Sequence, residues 1–174
     1  MNPFEKIKFM VLAAAIICPT FTACDNDDDN EVINNDTADV ATYVEGTFSG
    51  NCVTKVSTAT VDETQEFTIT MQEDSTFTLT TPATTYTDMG LTIPSLTVSG
   101  MKAEQTTLND VTIYRLSAKD YASEVVVDGS TKSYTISELT ALIRIDNNSI
   151  AINYSFTYGR MPFETNVSFS GTKK

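Results

Sequence analysis

Residues 43–174 of this chain alternate apolar and polar side chains with a period of two. Val44, Gly46, Phe48, Gly50 and Cys52 share one parity, with Glu45, Thr47, Ser49 and Asn51 between them. Phe67, Ile69 and Met71 alternate with Thr68 and Thr70, and Phe77 and Leu79 flank Thr78. Ile150, Ile152, Tyr154, Phe156 and Tyr158 alternate with Ala151, Asn153, Ser155 and Thr157. Successive side chains of a strand point to opposite faces, so this period builds strands buried on one face only, and such strands pair antiparallel. The spacing predicts strands over 41–56, 67–72, 76–80, 91–99, 111–117, 123–127, 139–145, 149–158 and 166–172, eight or nine in number. Pro94 marks an edge position or a bulge. Residues 137–145 contain good helix formers, but their β-branched content and pairing favour a strand. The fold class is therefore all-β, a closed meander or a two-sheet sandwich.

Turn residues supply a check on pairing. A three-residue loop Glu73-Asp74-Ser75 would set Met71 opposite Phe77 and Ile69 opposite Leu79. A two-residue loop Asn147-Asn148 would set Ile145 opposite Ile150 and Ile143 opposite Ile152. Directly opposed residues share a face, so both registers place apolar on apolar.

The first 42 residues differ in kind. Lys6 and Lys8 precede an uncharged apolar run, Phe9 to Cys18, which is followed by Pro19-Thr20-Phe21-Thr22-Ala23 and Cys24. A positive start, a short apolar middle and a small residue before the cut are the parts of a secretory signal. The apolar run falls short of the ~20 residues that span a bilayer, and Pro19 ends any helix continuing from it. The segment resembles the lipobox of bacterial lipoproteins, with Thr22 and Ala23 as its small residues and Phe21 where the pattern has leucine. That resemblance implies cleavage after residue 23 and a diacylglycerol thioether on Cys24, which would tie the chain to a membrane. Two or more acyl chains hold stably where one holds marginally.

Residues 25–42 read DNDDDNEVINNDTADVAT; seven of the first fifteen are Asp or Glu. So few apolar groups cannot offset the entropy of ordering, and residues 24–42 are expected to be a disordered tether with a reach of roughly 20–25 Å. The run Asp25-Asn26-Asp27-Asp28-Asp29 lacks the turn glycine and terminal glutamate of a calcium loop. An acidic patch directly after a lipidated cysteine resembles the surface-export signal of Bacteroidetes lipoproteins. The resemblance implies an outer-membrane location facing the cell exterior.

Charge and composition exclude several chemistries. Removing residues 1–23 takes away Lys6, Lys8 and Glu5 and leaves 9 basic against 22 acidic residues, a formal charge of −13. Phosphate backbones would repel such a chain, so no nucleic-acid partner is expected. The sequence holds no histidine, so Ser-His and Cys-His pairs and histidine-built metal sites cannot form. With Cys18 in the signal and Cys24 lipidated, Cys52 stands alone and is read as a small buried hydrophobe. Glu63, Glu66, Glu73 and Asp74 cluster at turns and strand ends, where solvated charge is expected rather than an acid–base pair. Arg115 and Arg144 lie on predicted strands and are expected to face outward. No phosphate loop or nucleotide fingerprint appears. The chain is accordingly read as a non-enzyme without cofactor or metal.

Several segments together resemble the calycin-like, lipocalin-like β-barrel domains of Bacteroides surface lipoproteins. They are Val44-Glu45-Gly46-Thr47-Phe48-Ser49-Gly50, Met89-Gly90-Leu91-Thr92-Ile93, Asp146-Asn147-Asn148-Ser149-Ile150-Ala151-Ile152, Met161-Pro162-Phe163 and Val167-Ser168-Phe169-Ser170-Gly171-Thr172-Lys173. Their order and spacing carry the likeness. It implies an eight-stranded antiparallel barrel over residues 43–174, with the closing strand beside the opening one. Such a barrel can hold one small apolar or amphipathic ligand, for which Tyr86, Tyr114, Tyr154 and Tyr158 are the candidate lining residues. The alternative is a structural or accessory lipoprotein that acts through protein contacts. Tight packing of Phe48, Phe67, Ile143, Ile152 and Phe156 inside the barrel would favour that alternative.

Overall fold

The alternating segments become strands, and short turns set their registers. A computed structural model describes residues 37–87, 91–158 and 163–174, all within the unit Asn34–Lys174. A short helix, α1 (Thr37–Val44), leads into eleven strands. They are β1 (Gly46–Val56), β2 (Ala59–Met71), β3 (Phe77–Thr80), β4 (Thr84–Tyr86), β5 (Leu91–Ile93), β6 (Thr97–Met101), β7 (Glu104–Leu108), β8 (Val111–Val127), β9 (Ser130–Arg144), β10 (Ser149–Tyr158) and β11 (Thr165–Lys173). Nine of them form one antiparallel sheet in the order β6-β3-β2-β1-β11-β10-β9-β8-β7, while β4 and β5 make a separate ribbon. The sheet curls into a half-barrel. Its β6 end returns toward β8, where the Thr97 N–H donates to Ser123 Oγ at 3.2 Å. Among the described residues no helix is long and apolar enough to cross a membrane. Cys24, residues 1–23 and most of the acidic run lie outside the described residues.

The expected pairing of the first and last strands is present. β1 and β11 run antiparallel with Phe48 opposite Lys173, Gly50 opposite Gly171 and Cys52 opposite Phe169. The β2–β3 register is also as expected, with Met71 opposite Phe77 and Ile69 opposite Leu79. The Gln72 N–H to Thr76 carbonyl bond, 2.8 Å, closes the three-residue loop. Ser75 takes the left-handed φ of 63° that such loops require.

Five expectations are corrected. The main sheet has nine strands rather than eight, and the predicted strand over 91–99 breaks after Ile93 at Pro94, its halves joining different sheets. A further strand, β7, forms from EQTTL, which has no apolar alternation because all five residues are exposed. The strands read separately at 111–117 and 123–127 are one, β8. The β9–β10 loop is longer than two residues: Arg144 pairs with Ser149 and Ile143 with Ile150. The register has moved by two, which keeps both apolar sets on the core face. Asn147 Oδ1 accepts from the Ser149 N–H at 3.1 Å, and Asn148 has φ 52°. Asparagine closes the longer turn through its side chain. Finally, residues 37–42, read as tether, belong to α1. Val44, fully buried at its end, anchors the helix, Tyr43 stacks on Tyr114, and Lys173 Nζ donates to the Thr42 carbonyl at 2.7 Å.

The core is one continuous cluster inside the curl. Phe48, Phe67, Ile69, Leu79, Leu116, Leu139, Ala141 and Ile152 are completely buried. Each large apolar side chain so buried contributes about 1.5–3 kcal/mol. Between β1 and β11 the backbones come unusually close. A Cβ on Gly50 would overlap the Ser170 carbonyl and the Gly171 Cα; one on Gly171 would lie 2.6 Å from Ser49 O and from the Phe169 ring. The ring of Phe169 lies over Gly171, so the two glycines make room both for each other's backbone and for that ring. Gly50→Ala is expected to destabilise the domain by about 1–3 kcal/mol through forced separation of the two strands. Urea unfolding would show this as a lower midpoint with unchanged slope.

Candidate functional site

A bulge in β9 against β10, at Ser137, decides which side chains reach the barrel interior at one end. Along β9 the buried positions are Leu139, Ala141 and Ile143 and then, one register out of step, Ile136 and Tyr134. Opposite them, β8 switches from Tyr114 and Leu116 to Ser123. The β9–β10 register slips at the same level, between Ser155 and Phe156, leaving Ser137 as the extra residue. Asp120 absorbs the turn on β8 with φ 51°. Bulges re-aim side chains; this one turns Tyr134 inward where strict alternation would leave it in solvent.

The aromatic residues brought inside form a continuous series. Tyr158 stacks on Tyr134 with ring centroids 4.7 Å apart and planes 22° from parallel. Tyr134 lies 6.1 Å from Phe156, Phe156 lies 6.0 Å from Tyr154, and Tyr154 meets Phe67 edge-on at 6.4 Å. Phe67 contacts Phe169 at 4.4 Å. Spacings of 4.5–7 Å in offset or edge geometries are those aromatic pairs favour. Side chains therefore fill the lumen from the middle outward. A cavity of about 140 Å³ remains at the end of the series, walled by Tyr134, Phe156, Tyr158 and Ile93, with Thr92, Thr165 and Lys132 completing it. Ile93 is nearly buried and Thr165 is 2 % exposed. The Lys132 ammonium sits 5.7 Å from the Tyr158 ring centroid, a cation–π distance. A second depression, about 480 Å³ but wide open to solvent, lies beside α1 between Val40, Phe77, Lys102 and Tyr114.

The four tyrosines singled out from sequence separate. Tyr158 lines the aromatic cavity, and Tyr114 borders the open depression beside α1. Tyr86 and Tyr154 are core residues near Cys52 and line neither. Burial pushes the phenols of Tyr86, Tyr114, Tyr134 and Tyr154 above their ordinary range, so they remain neutral donors. Arg115 and Arg144 are both exposed. Arg144 makes a two-point contact with Asp146, Nε to Oδ1 at 3.1 Å and Nη2 to Oδ2 at 2.7 Å. The carboxylates Glu63, Glu66, Glu73 and Asp74 are exposed. Asp74 accepts from the Thr76 N–H and hydroxyl within its own turn, and Glu66 pairs with Lys174. No group of three potential metal-ligating side chains occurs among the described residues.

Tyr134, Lys132 and Ile93 were not anticipated as lining residues. Asp128-Gly129 is the two-residue hairpin signal that pairs Val127 with Ser130 and so Lys132 with Val125. It fixes the hairpin register, but the bulge at Ser137 has no comparable sequence mark.

The family model for the calycin-like beta-barrel domain matches residues 40–172. The chain belongs to the calycin-like β-barrel family. The calycin-like domain is similar in fold to the crystal structure of a Bacteroides fragilis NCTC 9343 protein whose name assigns it provisionally to the outer membrane. The TM-score is 0.57 at 19% identity, covering 77% of this chain and 52% of that one. The chain thus spans about half the length of that neighbour. Rv2717c from M. tuberculosis aligns with TM-score 0.43 at 11% identity, over 80% of this chain and 98% of that one. No curated protein matches the chain.

Two outcomes follow for this end of the calycin-like domain. Asp120→Gly is expected to be tolerated, whereas Asp120→Val, a β-branched residue at positive φ, should cost roughly 1–3 kcal/mol; paired thermal melts compare them. Cys52, 1 % exposed, has its thiol pushed up to about 11, chiefly by loss of solvent. The native protein should therefore leave a thiol reagent unreacted at pH 8 and react stoichiometrically in denaturant. Because the folded value lies above the ordinary thiol value of 9.0, the cysteine's stabilising contribution is complete below pH 9 and is lost as pH rises toward 11.

Proposed function

We propose that this chain is a lipid-anchored surface protein that binds by one end of a filled barrel. The cavity at Tyr134, Phe156 and Tyr158 takes a single small apolar group, and the remainder of the ligand stays outside. The observation that carries this reading is the packed lumen. Phe48, Phe67, Ile143, Ile152 and Phe156 are all at most 3 % exposed, which leaves no space among them for a ligand of the few hundred Å³ typical of barrel cargo. A cavity of about 140 Å³ is close to the ~150 Å³ that accommodates benzene in an apolar protein interior. The anchor and location rest on the lipobox around Cys24 and the acidic run after it, and the outer-membrane name of the Bacteroides fragilis neighbour is consistent with them. The runner-up reading, an accessory protein working through protein contacts, draws on the same filled lumen and on the exposure of Val126 and Phe163, 69 % and 52 %.

Two experiments test the reading. Cys24→Ala should move the protein from the membrane fraction to the soluble fraction and abolish incorporation of labelled palmitate; a variant still held in the membrane would contradict anchoring at Cys24. Titration with benzyl alcohol, followed by amide chemical shifts, should give saturable changes around Tyr134, Phe156 and Tyr158. Absence of saturable shifts there, or shifts centred on Phe48 and Ile152, would contradict binding at the barrel end.

A further inference from the structure

We propose that the ligand of this cavity is a single aromatic ring bearing a carboxylate, with the ring between Tyr134, Phe156 and Tyr158 and the carboxylate on Lys132. This rests on the reading that the barrel end is the binding site. Three observations select the chemistry. The walls are flat: three of the lining residues are aromatic, and Tyr134 and Tyr158 are already stacked on each other. A planar ring extends such a stack at the spacing aromatic pairs prefer. The cavity is short, because Phe156 and then Tyr154 and Phe67 close the way into the barrel. An extended acyl chain has no channel to follow and could insert only its last few carbons. Among the described residues the rim carries one charge: Lys132 is the one cationic side chain that lines the cavity, no acidic residue lines it, and Lys132 makes no ion pair. Its ammonium is instead held over the Tyr158 ring.

That placement is unusual for this molecule. The chain has 23 acidic against 11 basic residues, so its general field repels anions. Elsewhere, Arg144 pairs with Asp146 and Lys174 with Glu66. A half-buried lysine facing aromatic walls offers a carboxylate a charge-assisted hydrogen bond while its ring neighbours accept the apolar remainder. Lys132 is set there by register. It pairs with Val125 two residues before Tyr134 on β9, on the same face and beyond the bulge that turns Tyr134 inward.

The test uses the full chain carrying Cys24→Ala and compares three probes by chemical-shift titration at low ionic strength: benzoate, benzyl alcohol and decanoate. Benzoate is expected to bind about tenfold more tightly than benzyl alcohol, and the advantage should shrink as salt is added. Decanoate should bind no more tightly than benzoate. Lys132→Met should erase the benzoate advantage over benzyl alcohol measured on the same variant, and Tyr158→Ala should weaken both ring probes. Benzyl alcohol binding with no benzoate advantage, or an advantage that survives Lys132→Met, overturns the carboxylate assignment and leaves the end-cavity reading standing. Decanoate binding far tighter than benzoate overturns the aromatic assignment. If none of the three probes binds, the end-cavity reading itself fails.

Discussion

The ladder between β1 and β11 is the contact on which the rest of the domain depends. It joins the first and last strands of the barrel, at the centre of the nine-stranded order. One side of the sheet, β2, β3 and β6, hangs on β1; the other, β10, β9, β8 and β7, hangs on β11. Every other neighbouring pair in the sheet except β3–β6 is a connection between strands adjacent in sequence, and those form cheaply once a turn is made. The β1–β11 pair spans nearly the whole domain, and its loop-closure entropy must be met before the core is assembled. Gly50 and Gly171, opposed across it, let the two backbones approach and let the Phe169 ring lie flat. Phe169 then touches Phe67, so the ladder is also where the aromatic series through the lumen is rooted.

That series explains why this calycin-like barrel has so little interior space. Aromatic rings from β2, β9, β10 and β11 meet along the lumen axis, and a cavity lies where the series ends. At that end the wall is made by a hairpin out of step with the rest of the sheet. The bulge at Ser137 supplies Tyr134 and Lys132 to the interior face. At the other end α1 docks through Val44 and through stacking of Tyr43 on Tyr114, and the open depression there has polar groups of both signs on its rim, Asp74 and Lys102.

Much of the fold was legible because the same signal appears at two levels. Alternation along β1, β2, β3, β10 and β11 named the core face, apolar-on-apolar pairing named the β2–β3 register, and the resemblance to the calycin-like family implied the β1–β11 neighbourhood. Where the register prediction slipped, at Asp146–Ser149, it slipped by two residues and kept the face. The unread parts are those with no apolar pattern to read. β7 is wholly exposed, so its existence rests on the tight turn at Asn109-Asp110, both at positive φ. The break at Pro94 was marked as an edge or bulge, but its effect, splitting one strand between two sheets, depends on tertiary pairing. The candidate site was the least legible. Tyr158 was found from alternation, but Tyr134 sits on the parity that strict alternation assigns to solvent. Tyr86 and Tyr154, equally plausible by type, are consumed by the core.

Among the described residues the lumen is filled along its axis and open at the end walled by Tyr134, Phe156 and Tyr158. Xenon pressurisation of crystals tests this directly, since xenon occupies apolar cavities of this size regardless of the natural ligand. The account predicts a single strong xenon peak within the barrel, bounded by Ile93, Tyr134, Phe156 and Tyr158. A peak among Phe48, Phe67 and Ile152, with none at the end, would contradict it.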